Sequence, residues 1–281
     1  MSSFSYSFGS VLRSLPQFRG KHRLSRWVLK NLVSTGHDLR VKGLLGCEYL
    51  LPNLTENLAF DVFINGIYEK ETNDFLVEHI PQNAIVLDIG ANIGTICIPL
   101  AKRRKDIRVY CVEASPFVFE YLKTNVELNG LTDQIFCHNL AITDQDGAQL
   151  PFYSDPEKFG KGSLAPIFAD VAVMVNGMSL DSFVNFLKLP RVDFIKIDIE
   201  GYEYAAFKGG HTILSSPVAP SILFEFVDWA EEFSKVAKGS AQKILSDYGY
   251  SLLEFDEKNG LISLPKILTT GSAMLVARKK S

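Results

Sequence analysis

The chain has 281 residues, 47% of them hydrophobic and 22% charged, with a formal net charge of −3. These proportions suit a globular protein able to bury a full core and exclude a collagenous or low-complexity chain. With no basic excess to neutralise phosphates, they also argue against a general nucleic-acid binder.

Residues 1–37 contain no Asp or Glu, while Arg13, Arg19, Lys21, Arg23, Arg26 and Lys30 are basic and aromatic residues are interleaved among them. Such a segment fits an anionic membrane surface. The helical spacing of Leu24, Trp27, Val28, Asn31 and Leu32 predicts instead an arm packed on the body by that apolar face. No apolar run reaches the roughly 18 residues that span a bilayer, and the N-terminus lacks a signal-like apolar stretch. Cys47, Cys97, Cys111 and Cys137 show no C-x-x-C spacing and read as reduced core thiols. The expected location is therefore cytoplasmic, with the periphery of the inner membrane as the variant that a membrane-bound arm would add. Asn53-Leu54-Thr55 matches a glycosylation sequon, taken as chance without a secretory signal. From Leu39 to Phe63, short runs broken by Gly43, Gly46, Pro52 and Asn53 predict two or three strands. Residues 1–65 are thus expected to form a basic helical arm and small lobe, and residues 66–281 the main domain. A helix is expected from Lys70 to His79, before Pro81.

Ala84–Ile89 reads as a buried parallel strand, Gly90–Gly94 as a tight turn and Thr95–Arg103 as a helix. Strand, glycine loop and helix is where α/β proteins hold a nucleotide-like cofactor. The glycines are spaced Gly90-x-x-x-Gly94 rather than G-x-G-x-x-G, and Asp88 would repel a pyrophosphate. S-adenosylmethionine, with an ammonium, a sulfonium and no phosphate, suits that carboxylate; a purely structural turn capped by Asp88 is the plain alternative. Arg108–Glu113 is a second strand ending in an acid 25 residues after Asp88, the spacing of a ribose-binding carboxylate. Pro116–Leu128 is the next helix, stopped by Asn129-Gly130. Ile135–Leu140 is a third strand, whose His138 and Asn139 either flank an adenine or begin a loop. Residues 144–175 read as an inserted hairpin or flap, and Ser179 as the start of a helix closed by Pro190.

Val192–Glu200 is the fourth strand, and its period of two puts Lys196, Asp198 and Glu200 on one face. Charges in a central parallel strand are costly unless paired. Gly201 turns the chain into a helix at Tyr202–Lys208, and Ser221–Phe226 is a fifth strand carrying Glu225. Asp198, Glu200 and Glu225 can then converge beside the glycine loop, as a site or as a structural Lys–carboxylate cluster. Lys196 argues against a divalent metal there, because its ammonium competes for the same oxygens. Ala241–Gly249 is a last helix, and Tyr250–Phe255 with Ser272–Ala277 forms a closing antiparallel pair. That ending departs from dinucleotide dehydrogenases.

Together Gly66-Ile67-Tyr68-Glu69, VLDIGANIGT at 86–95, VEASP at 112–116, SLDSF at 179–183, IKIDIEGYE at 195–203 and SILFEF at 221–226 resemble the FkbM-type S-adenosylmethionine-dependent methyltransferases. The resemblance spans roughly residues 60–278. It implies an α/β class I methyltransferase Rossmann-like fold, with a mostly parallel seven-stranded sheet between helices and an N-terminal extension. It also implies methyl transfer to a hydroxyl of a sugar, cell-envelope glycan, glycolipid or natural product. Asp88, Gly90, Ala91, Asn92 and Gly94 would line the cofactor's amino-acid end, and Tyr68 and Glu69 would close over it. Glu113 would hold the ribose, with Ala114, Ser115 and Asn139 near the adenine. Asp198, counted on both the cofactor and catalytic sides, would face the reaction centre with Glu200, Glu225 and Lys196. Asp198 is the first candidate for a base that takes the acceptor's proton, Glu200 the second and His211 a rival. Asn92 stands where the generic loop has its middle glycine. The alternatives are an NAD-dependent sugar-modifying oxidoreductase and a non-catalytic nucleotide-binding module.

Overall fold

The computed structural model describes Arg13 and residues 20–35, 37–256 and 260–279. Expectations for the aromatic residues before Arg13 and for Arg19 lie outside the described residues.

From residue 20 the described residues form α1 (Lys21–Val28) and α2 (Lys30–Thr35), then an antiparallel hairpin of β1 (His37–Lys42) and β2 (Glu48–Asn53). The run after Pro52, expected to be strand, is instead helix α3 (Asn57–Asn65). Its sequence, NLAFDVFIN, buries six side chains including Phe60 and Phe63, so its apolar residues carry no clear helical stripe. Two buried asparagines join the hairpin to the body. Asn125 Oδ1 accepts from Leu50 N at 2.6 Å, and Asn129 exchanges bonds with Glu48 N and O at 2.9 and 2.6 Å. The sequon asparagine is buried, and its amide donates to the carbonyls of Pro156 and Glu157, both at 3.3 Å.

Then follow α4 (Lys70–His79), β3 (Ile85–Ile89), α5 (Cys97–Arg103), β4 (Arg108–Val112), α6 (Pro116–Leu128) and β5 (Ile135–His138). The inserted region contributes β6 (Ala141–Thr143), β7 (Gln149–Ser154), β8 (Gly162–Ser163) and β9 (Ala172–Ser179), a separate four-stranded sheet in the order β6-β9-β7-β8. The chain continues through α7 (Leu180–Phe186), β10 (Phe194–Ile197), α8 (Glu203–Lys208), α9 (His211–Ser215), β11 (Ser221–Val227), α10 (Asp228–Phe233) and α11 (Ser240–Asp247). It ends in β12 (Tyr250–Asp256), β13 (Gly260–Ser263) and β14 (Ser272–Lys279).

The main sheet runs β13-β12-β14-β11-β10-β3-β4-β5, parallel from β11 to β5, with β14 antiparallel to both β11 and β12. This is the class I methyltransferase order, extended by β13 on the edge, which makes eight strands rather than seven. All residues of β3 and β10 are buried, because helices cover both faces. Val86 and Val109 pack with residues of α4, α5 and α6 on one side. Leu87, Ile89 and Ile195 pack with residues of α7, α8, α9 and α11 on the other. From β3 the chain proceeds outward to β4 and β5, and from β10 it proceeds the other way to β11. The crevice past the ends of β3 and β10 is therefore the topological switch point, where open α/β sheets hold ligands.

Gly90 sits at that point with φ +79, and an added Cβ would fall on the carbonyl oxygen of Asp198. Gly90→Ala is expected to destabilise the fold by about 2–4 kcal/mol, read as a lowered urea midpoint. An unchanged midpoint would mean that the two strand ends are not pressed together.

Candidate active site

A cavity of about 410 Å³ opens at the switch point. Its floor is the turn after β3. The N–H groups of Gly90 and Ala91 both donate to Val112 O, at 2.9 and 3.0 Å, and Gly94 N donates to Ala91 O at 3.0 Å. Asn92 N donates to Glu113 Oε2 at 3.0 Å, and Ile93 N to Asn92 Oδ1 at 2.9 Å. A pyrophosphate loop needs such N–H groups free and directed at the ligand; here all five are engaged within the protein. Among the described residues, the cavity wall carries six carboxylates (Glu56, Glu69, Glu113, Asp198, Glu200 and Glu225) against Lys161 and Lys196, and no arginine. The donor set fits a cationic ligand and opposes a phosphate-bearing one.

Lys196 organises the end of β10. Its ammonium lies 3.5 Å from Asp198 Oδ2, 3.8 Å from Asp88 Oδ1 and 3.5 Å from Gly90 O. Burial pulls its pKa down, but Asp198, Asp88 and Glu69 outweigh burial and hold it above its ordinary value. Asp88 is 2% exposed and both its oxygens lack a hydrogen-bond partner among the described residues; burial raises its pKa, opposed by Lys196. Asp88 therefore faces Lys196 from beneath the wall instead of lining the cavity.

Of the other expected residues, Tyr68, Glu69, Gly90, Ala91, Asn92, Glu113, Ala114, Ser115, Lys196, Asp198, Glu200 and Glu225 line the cavity. Gly94 does not, since it packs against Ile98 and Leu122. Asn139 stands behind the wall, donating to the carbonyls of Glu113 and Ala114 at 2.8 and 3.1 Å. The His138 ring packs edge-on to Phe183, and Leu140, Ala141 and Ile142 take the wall position expected of His138 and Asn139. His211 heads α9 against Tyr248, off the cavity wall.

Three non-glycine residues on the wall hold left-handed backbone: Glu69 at φ 44, Asn92 at φ 50 and Glu200 at φ 52. Each is tied down. The buried Asn73 amide donates to Tyr68 O and Glu69 O at 3.0 and 3.2 Å. The Asn92 amide reaches Phe159 O at 3.3 Å, which accounts for an amide side chain where a glycine would be expected. Ser163 Oγ donates to Glu200 O at 3.0 Å. Asn92 and Ser163 thus fasten the segment between β7 and β8 across the cavity, and Thr55 Oγ1, donating to Glu157 O at 2.7 Å, fastens its outer end. Sequence reading identified the flap but missed its wall residues Phe152, Phe159 and Lys161, as well as Glu56, Tyr202 and Trp229.

Burial raises the pKa of the glutamates on the wall. Burial, joined by the charges of Asp198 and Glu200, pushes Glu225 up to about 8. Burial and Asp198 push Glu200 to about 7. Burial lifts Glu113 to about 7 although two N–H groups donate to it. Glu203 is also raised to about 8 by burial, but its oxygens accept from Ile199 N and Gly201 N and support the turn.

A family model described as the methyltransferase FkbM domain matches residues 88–252. A hexuronic acid methyltransferase, AglP, of Haloferax volcanii is 24% identical over 149 residues, 53% of this chain and 59% of that protein. A tRNA(Phe) (4-demethylwyosine(37)-C(7)) aminocarboxypropyltransferase of Methanocaldococcus jannaschii is 43% identical over 54 residues, 19% of this chain and 22% of that one. The chain thus spans less than two thirds of the length of either relative. A solved TehB-like SAM-dependent methyltransferase from Corynebacterium glutamicum aligns with 79% of this chain and 94% of its own, at 12% identity and a TM-score of 0.44.

Because Glu113, Glu200, Glu203 and Glu225 titrate above the ordinary 4.5, the unfolded chain loses these protons first as pH rises. Stability contributed by these groups is present below about 4.5 and is lost as pH climbs toward about 8. His138, held below its ordinary value by burial, works in the opposite sense, one group against four. The melting temperature of the free protein is expected to fall between about pH 5 and 8 and the fall to be shallower in Glu225→Gln. A flat profile would contradict the buried carboxylate wall.

Proposed function

The chain belongs to the FkbM methyltransferase family, and on that premise we propose that it transfers the methyl group of S-adenosylmethionine to a hydroxyl of a sugar or glycan. Residues 66–281 form the catalytic domain in this reading, with residues 1–65 as an arm and small lobe. The observation that carries the proposal is the fully engaged Gly90–Gly94 backbone beneath a wall of six carboxylates. It opposes NAD, whose pyrophosphate would find no free N–H, and it suits a ligand bearing an ammonium and a sulfonium.

S-adenosylmethionine, when bound, supplies a methyl group activated by the sulfonium. Gly90, Ala91, Asn92, Tyr68 and Glu69 would hold its amino-acid end, Glu113 its ribose, and Ala114 and Ser115 its adenine end. Asp88 acts through Lys196 and not by direct contact. An alcohol is a weak nucleophile near neutral pH, and a positioned base contributes roughly 10²–10⁴-fold. Glu200 is the base in this proposal. It lines the cavity, its carboxylate accepts no hydrogen bond among the described residues, and burial with Asp198 sets it near 7. Asp198, first choice on sequence alone, is engaged by Lys196 and keeps that ammonium in place. Phe152, Phe159 and Lys161 of the flap wall the cavity, and enclosure of this kind strengthens such interactions.

The acceptor end supports a carbohydrate. Trp229 offers an aromatic surface beside Glu200, Glu225 and Tyr202, groups that accept from or donate to ring hydroxyls. The relative named as a hexuronic acid methyltransferase points to the same class.

Glu200→Gln is expected to lower kcat by roughly 10²–10⁴-fold while leaving the cofactor Kd within about threefold. Activity of the parent protein should rise with pH to a plateau with an apparent pKa at or below about 7, the bound sulfonium favouring the carboxylate. Both are read by mass spectrometry as a gain of one methyl on a panel of glycans. Full activity in Glu200→Gln, with loss in Asp198→Asn, would return the base to Asp198.

A further inference from the structure

Helix α1 carries its apolar residues on the wrong side for a packed arm. Lys21, Ser25 and the following Leu29 are buried against the body, whereas Leu24, Trp27 and Val28 are 52%, 76% and 47% exposed. Sequence periodicity predicts the reverse, with Leu24, Trp27 and Val28 inward. What holds α1 is polar. Arg26 lies 4.4 Å over the Phe60 ring and donates to Thr55 O at 3.1 Å and Asn57 Oδ1 at 3.0 Å, while His22 meets Asp61 at 3.7 Å. A single exposed leucine needs no explanation. Two successive outward turns carrying Leu, Trp and Val, flanked by exposed Arg23 and Lys30, form the composition of a bilayer interface.

We propose that the outer face of α1 docks on an anionic bilayer surface. Trp27, Leu24 and Val28 enter the headgroup boundary, and Arg23 and Lys30 meet anionic headgroups. Charge complementarity selects this occupant: Arg23 and Lys30 are exposed beside the apolar face, and the first 37 residues hold no acid. Apolar insertion and basic attraction are the two signals that stable peripheral binding requires. The inner edge of the same helix bears on the catalytic cavity, since Arg26 grips the turn whose Glu56 and Asn57 line it. Resting on the function proposed above, this connection favours an acceptor glycan presented at the membrane, on a lipid, over one free in solution.

The test is sedimentation of the full chain with vesicles of phosphatidylcholine alone or mixed with phosphatidylglycerol. In a Trp229→Phe background, Trp27 is the one remaining tryptophan and its emission reports insertion. The proposal expects binding to the mixed vesicles, a blue shift of Trp27 and weakening by salt. Arg23→Glu/Lys30→Glu, and separately Leu24→Ser/Trp27→Ser, should each cost roughly tenfold or more in vesicle affinity. Calorimetric S-adenosylmethionine affinity should be unchanged in both, which separates failure of docking from failure of the donor site. Equal binding to neutral vesicles, no binding, or variants that bind like the parent would overturn the proposal. So would a self-associated parent that Leu24→Ser/Trp27→Ser makes monomeric, since that would assign the face to a second copy of the chain.

Discussion

The site depends on one buried ammonium. Lys196 sits between a carboxylate on β3, Asp88, and one just past β10, Asp198. Taking these charges out of water is expensive, and removing one partner of such a set generally costs about 3–5 kcal/mol because the other charge is stranded. The arrangement persists because two strands that diverge in the topology must end side by side, with Gly90 against the Asp198 carbonyl. The cation holds together two loops that would otherwise repel through their acids. Asp198 adds negative charge to the crevice, and the N–H groups of Gly90–Gly94 beneath it are all engaged within the protein.

The flap is built on the same economy of contacts. Thr55, Asn53 and Asn92 all donate to flap backbone carbonyls, and the flap's own Ser163 donates to the carbonyl of Glu200. Backbone acceptors keep the fastening independent of most flap side chains, leaving Phe152, Phe159 and Lys161 to shape the enclosed space. Left-handed backbone at Glu69, Asn92 and Glu200 coincides with these ties. Strain of this kind persists only where surrounding contacts over-determine it, and here those contacts run through Asn73, the flap and Ser163.

Much of this was legible in the sequence, and the failures have physical causes. Continuous apolar runs at β3, β4 and β11 read correctly because a parallel sheet covered on both faces admits little else. Acids at successive strand ends located Glu113 and Glu225. Asp88 read as a ligand of the cavity because a strand-end acid and a buried counter-ion have the same spacing; only the register of Lys196 opposite Asp88 separates them. His138 was ambiguous because its strand ends there, and its ring packs on Phe183. Helix α3 was hidden because its apolar residues surround it and leave no stripe to detect. The inverted face of α1 breaks the rule that apolar residues turn inward, because Arg26 and His22 hold the helix by its polar side.

The central claim is that the switch point holds a cation-bearing methyl donor and rejects a pyrophosphate. Isothermal titration of the full chain with S-adenosylmethionine and, separately, with NAD tests it directly. The account predicts saturable heat with S-adenosylmethionine and none with NAD under the same conditions. Saturable binding of NAD with no binding of S-adenosylmethionine would contradict it.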